Sequence, residues 1–153
     1  MTQILTPLLT DNIDDCRYVR LIQPFGFQSD VLAKYGLKSI VEAPTGFVQD
    51  FESVPIVKGT SKRAGTAHDY LCRIDSDPIV TKAIAAEVYR EILNYCHTHE
   101  INPHTGLYVE KGRSVYEATD NWFREWGKWG VVYVWPGYFH KYKVLATYEE
   151  IIA

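Results

Sequence analysis

The chain has 153 residues, a length that suits one domain with room for a real core. Its hydrophobic content of 46% and aromatic content of 14% exclude a chain disordered throughout and fit a globular protein rich in rings. A net charge of -3, with acids and bases interleaved, leaves no basic footprint for a phosphate backbone, so nucleic acid is not expected as a partner.

The opening MTQILTPLLTDNIDD has neither the basic start nor the apolar stretch of a signal peptide, and no later run has the length of a membrane span. The chain is therefore expected to be cytoplasmic when made. Cys16, Cys72 and Cys96 are odd in number, widely spaced and without a C-x-x-C pair. They read as reduced thiols rather than a disulfide framework or a zinc ribbon.

Short apolar or alternating runs come first: RYVRLIQ (17 to 23), FGFQSDVLA (25 to 33), KSIVEA (38 to 43) and GFVQDF (46 to 51). Turn signals at Pro24-Phe25-Gly26, Lys34-Tyr35-Gly36 and Pro44-Thr45-Gly46 separate them, the pattern of an antiparallel meander. Near residue 60 the period changes. GTAHDYLCRI (65 to 74) is a short helix candidate with Thr66 as N-cap, and 77 to 99 a long one with Asp77 as N-cap and Pro78 at the first helical position. On the wheel of the long helix Ile84, Val88, Ile92, Tyr95 and Cys96 share an apolar arc, with Glu87, Arg90, Glu91 and Asn94 opposite.

A loop over 100 to 112 then leads to a third helix over 114 to 127, with Trp122 and Trp126 on one stripe. VVYVW (131 to 135) and YFHKYKV (138 to 144), around Pro136-Gly137, form an aromatic hairpin or extended arm. Strands followed by helices, without βαβ alternation, predict an α+β fold. In it an N-terminal antiparallel meander is covered on one face by about three helices. The whole reads as a single domain over 1 to 153, mainly β over 17 to 60, mainly α over 64 to 127, with the arm over 128 to 153.

GFVQDFESVP, followed by AHDYL and a long helix carrying an acid, resembles a phage and prophage family, domain of unknown function 1353. The resemblance runs from about Val41 to Trp126 and rests on Pro44, Gly46, Phe47, Asp50, Ser53, Val54, Pro55, His68, Asp69 and Leu71, then Ala86 with Glu87. Gln49 stands where that family has Thr, Cys72 where it has Tyr, and Glu87 where it has Asp. The resemblance implies a viral protein made in the host cytoplasm, with incorporation in the virion or its tail as one destination. It implies no activity.

Chemistry concentrates at Asp50, His68, Asp69 and Glu87. One imidazole and two carboxylates, Asp50, His68 and Glu87, are the donors that hold one divalent metal, zinc or magnesium/manganese, and a metal with an open position makes hydroxide at neutral pH. Asp69 then orients a ligand from behind. The first functional expectation is a small metal-assisted hydrolase with a small substrate.

The same residues also have purely structural uses. Asp50 and Ser53 suit a turn before Val54-Pro55, Asp69 and Arg73 are spaced to pair along a helix, and Glu87 lies on the polar side of its wheel. Ser53 with His68 and Asp50 or Asp69 has the residue types of a triad but no G-x-S-x-G turn. Cys72, four residues after His68, reads as a core thiol.

The second functional expectation is a non-catalytic virion component or protein-binding module. It docks on a protein partner through the arm, with Trp129, Tyr133, Trp135, Tyr138 and Phe139 as the interface.

Overall fold

The structure is a computed structural model that describes residues 1–13, 18–49 and 62–110. Asp50, Ser53, the helix expected over 114 to 127 and the arm with Trp129, Tyr133, Trp135, Tyr138 and Phe139 lie outside the described residues.

The architecture is α+β, with every described strand pairing antiparallel. The meander expected from the sequence is two three-stranded sheets. One has the order β1 (Gln3–Ile4), β4 (Phe25–Gln28), β5 (Ile40–Ala43); the other has β2 (Thr10–Ile13), β3 (Tyr18–Leu21), β6 (Val48–Gln49). Strand β5 follows the two-residue period, with Val41 and Ala43 buried and Ile40 and Glu42 exposed. Strand β4 is buried along its length because the chain after β1 lies over Gly26. A Cβ there would sit 3.4 Å from Leu5 Cβ, and the Gly26 N–H donates to the Thr6 hydroxyl at 2.7 Å.

The run 25 to 33, expected as a strand, splits. Its second half is helix α1 (Asp30–Lys34), started by Ser29, whose hydroxyl accepts from the Leu32 N–H at 3.1 Å. Helix α2 (Lys62–Leu71) begins three residues earlier than expected. Thr66 is therefore inside it, donating to the Lys62 carbonyl one turn back at 2.8 Å rather than capping.

Helix α3 (Lys82–Thr98) begins four residues later than the Pro78 start expected. Thr81 caps it by accepting from the Ile84 N–H at 3.3 Å, while the Asp77 carboxylate holds the Lys38 ammonium at 2.5 Å. The loop expected over 100 to 112 contains a hairpin, β7 (His99–Ile101) with β8 (Tyr108–Glu110), whose turn carries Gly106 at φ +69.

One apolar cluster joins the strands to the helices: Leu21, Phe25, Phe27, Val41 and Phe47 meet Ala67 and Leu71 of α2 and Val88, Tyr89 and Ile92 of α3. Of the apolar arc expected on α3, Val88, Ile92 and Tyr95 are buried and Ile84 and Cys96 pack at the cluster's edge. Ala64 and Ala67 on α2, with Ala85 and Ala86 on α3, are essentially fully buried. Small side chains there let the two helices approach closely.

The polar side of α3 is occupied too. The Glu91 carboxylate accepts from the Ser29 hydroxyl at 2.5 Å, the Thr2 hydroxyl at 2.6 Å, and the N–H groups of Asp30 and Val31 at 2.8 and 3.1 Å. One turn earlier, Glu87 accepts from the hydroxyl of Tyr35, the residue that ends α1, at 3.0 Å. Two acids four apart thus bracket both ends of α1, and α1 runs antiparallel to α3. A free α1 N-terminus leaves N–H groups without partners, and Glu91 supplies both the acceptors and a charge of the favourable sign.

Glu91→Ala should lower the unfolding free energy by about 2–4 kcal/mol, since several bonds to one charged acceptor are lost together. Glu87→Ala, on a more exposed site, should cost about 1 kcal/mol or less. Urea unfolding of both variants, read as the midpoint at constant m, checks the order.

Candidate functional site

The side of α3 opposite Glu87 and Glu91 holds the candidate site. Tyr89 is two residues from each acid, about 200° around the helix, and is fully buried. Its ring receives His68 of α2, edge to face, with centroids 5.9 Å apart and planes at 78°. The packing of α2 on α3 therefore sets where the imidazole stands.

Both ring nitrogens of His68 face acids of the same helix end. Nδ1 lies 3.4 Å from Asp69 Oδ1, and Nε2 lies 3.4 Å from Cys72 Sγ. The second contact follows from the four-residue spacing, kept in register by the Cys72 N–H, which donates to the His68 carbonyl at 2.9 Å. The His68 side chain is 12% exposed and that of Asp69 24%, and Cys72 is half-buried, so the three form a line at the edge of the core that solvent reaches.

Burial alone would pull the imidazole towards its neutral form. The negative charge of the Cys72 sulfur and the Asp69 carboxylate outweighs it and pushes the His68 pKa from 6.5 up to about 10. The group is thus an acid at neutral pH, with a carboxylate beside one ring nitrogen and a sulfur beside the other.

The loop after α2 is braced independently. Arg73, buried, grips the Asp75 carboxylate with both Nε (2.7 Å to Oδ1) and a terminal nitrogen, and lies 5.7 Å over the Phe47 ring. Phe47 in turn meets Tyr70 edge to face at 5.9 Å. One turn earlier on the same face of α2, the buried Gln49 amide donates to the Thr66 hydroxyl at 2.7 Å and staples β6 to the helix. The residue that follows Gln49 is Asp50, outside the described residues.

Of the four residues expected at the site, the structure brings His68 and Asp69 together and adds Cys72. It does not bring Glu87 to them: that carboxylate faces Tyr35, whose phenol it holds above its usual range. Among the described residues no three His, Cys, Asp or Glu side chains are grouped to hold a metal ion. The ligand set Asp50, His68 and Glu87 stays an expectation of the sequence. Cys72 was marked by its spacing from His68, but the sequence does not distinguish a core thiol from one beside an imidazole.

The fold and this helix edge define a small α+β protein with a histidine held between a carboxylate and a thiol. The chain belongs to the family described as protein of unknown function (DUF1353), whose model matches residues 25–109, more than half of its length. The match begins ahead of the resemblance read from the motifs and takes in β4, α1 and both hairpin strands after α3. No curated protein and no solved structure matches the chain. No helix among the described residues is long and apolar enough to cross a membrane.

Because the folded value lies above that of a free imidazole, His68 contributes stability that is whole below about pH 6.5 and is lost as pH rises towards 10. An NMR titration of the ring carbons should show its proton retained through pH 8. A midpoint at or below 6.5 would show that Asp69 and Cys72 do not outweigh the burial.

Proposed function

We propose that this protein is a small hydrolase in which His68 transfers the proton that the reaction needs and Asp69 orients the ring. The observation that carries this reading is the position of His68, largely buried, with the Asp69 carboxylate 3.4 Å from one ring nitrogen and the Cys72 sulfur 3.4 Å from the other, an environment that raises its pKa. Burying an ionised group costs several kcal/mol unless it is compensated, and such compensated groups concentrate where proton transfer is used.

Protonated at neutral pH, His68 suits the role of general acid for a poor leaving group such as an amine or an alkoxide. Once it has given up its proton, the ring is the base for an incoming water. The Asp69 carboxylate at Nδ1 fixes which nitrogen delivers the proton, and Tyr89 limits how far the ring swings. This chemistry needs neither Glu87, engaged with Tyr35, nor the arm over 128 to 153.

A screen of alkyl ester, anilide and thioester substrates tests the reading. His68→Asn should lower kcat/KM about 100-fold or more, the usual contribution of a positioned acid or base, and mostly through kcat. Asp69→Asn should cost less, about tenfold, and flatten the pH profile. Equal rates in wild type and His68→Asn, with folding verified by circular dichroism, would remove the reading.

A further inference from the structure

The residue that the hydrolase reading leaves without a task is Cys72. Its sulfur lies 3.4 Å from His68 Nε2, the nitrogen not facing Asp69. Carboxylate, imidazole and thiol therefore stand in the order that activates a cysteine: a base within hydrogen-bond reach of the nucleophile, and an orienter on the far side of the base. The sequence had suggested Ser53 for this role, and that residue is outside the described ones; the thiol is in place.

From this geometry we infer that Cys72 is the covalent nucleophile of the site and that its substrate is an acyl group, carried as a thioester, ester or amide. The inference rests on the hydrolase reading and names the atom that attacks.

The steps balance. The Cys72 thiolate attacks the carbonyl carbon and forms a C–S bond. The tetrahedral intermediate collapses, the bond to the leaving group breaks, and that group departs with the proton from His68 Nε2. Water then attacks the thioester and gives a proton to the now neutral imidazole. The carboxylic acid leaves, the C–S bond breaks, and thiolate and imidazolium are restored. The net change is one water consumed for one acyl bond cleaved, with no oxidant, reductant or metal involved.

Three features of the surroundings support the assignment. Cys72 is half-buried, so a substrate carbonyl reaches it without unfolding the helix end. The 3.4 Å from Cys72 Sγ to His68 Nε2 puts the thiol proton within reach of the ring that has to take it. The Arg73–Asp75 grip and the Tyr70 hydroxyl, which accepts from the Asp77 N–H at 3.2 Å, hold the loop that follows the thiol. Preorganisation of this kind is what a covalent site requires.

The test is alkylation by iodoacetamide at pH 6.5, followed by peptide mass mapping of each cysteine, together with exposure to a short-chain acyl thioester. A free thiol is only about 1% thiolate at that pH. Cys72 should therefore react about tenfold faster than glutathione under the same conditions, after allowance for the weaker nucleophilicity of a stabilised thiolate. Its peptide should also gain the acyl mass, and Cys72→Ser should lose both signals and the hydrolysis.

Alkylation of Cys72 no faster than glutathione, or hydrolysis that persists in Cys72→Ser while still depending on His68, overturns the nucleophile and leaves the hydrolase reading standing. Fast alkylation and a stable acyl adduct without turnover has the opposite meaning: the thiol assignment holds and the hydrolase reading falls. Both wild-type measurements stand even if His68→Asn does not fold.

Discussion

The carboxylate of Glu91 joins three parts of the chain that are far apart in sequence. It satisfies the exposed N–H groups at the start of α1, holds the hydroxyl of the residue that caps that helix, and takes the Thr2 hydroxyl just before the first strand. A five-residue helix has too few internal bonds to persist alone, because nucleation fixes several residues for its first bond. Buried Leu32 and the Tyr35–Glu87 bond also hold α1 against α3, and Glu91 fixes its N-terminal end. With these contacts, α3 is clamped along one side, and its other side is free to be built as core.

That division of labour on α3 explains the site. Val88, Tyr89 and Ile92 face the cluster that also buries Ala67 and Leu71 of α2. The two helices approach through alanines, and the position of α2 is thereby set within narrow limits. His68 then falls against Tyr89, and the spacing of the helix carries Cys72 to its far nitrogen. None of these positions depends on a side chain chosen for chemistry. The scaffold places the imidazole, and the two acids at its nitrogens decide its charge.

How much of this was visible in the sequence differs by element. Helix α3 was plain, because seventeen residues sustain a 3.6-residue period that no strand imitates, although Pro78 misplaced its start and Thr81 is the true cap. Helix α1 was hidden, since FGFQSDVLA reads as one apolar run and a single serine marks the change from strand to helix. Strands β1, β7 and β8 are two or three residues long, below the reach of any alternation argument, and β1 pairs with a partner distant in sequence.

At the candidate site, residue type singles out His68 and Asp69, whose side chains lie 3.4 Å apart. Glu87 was misjudged for a physical reason: a helical wheel assigns it to the polar side but does not say whether that side meets water, a ligand or another helix. Here it meets α1. Cys72 was seen and set aside because buried thiols are usually inert, and the imidazole beside it is a matter of geometry rather than composition.

The central claim is that His68 and Cys72 act on each other as a pair, and a double-mutant cycle measures that directly. His68→Asn, Cys72→Ala and the double variant are unfolded in urea at pH 7, and the coupling is taken from the departure from additivity. A hydrogen-bonded pair in contact at the edge of a core should couple by about 1 kcal/mol or more, and the coupling should change at pH 11 where the imidazole loses its proton. Additive effects within about 0.3 kcal/mol at pH 7 would contradict the account, because the two residues would then be neighbours without being partners.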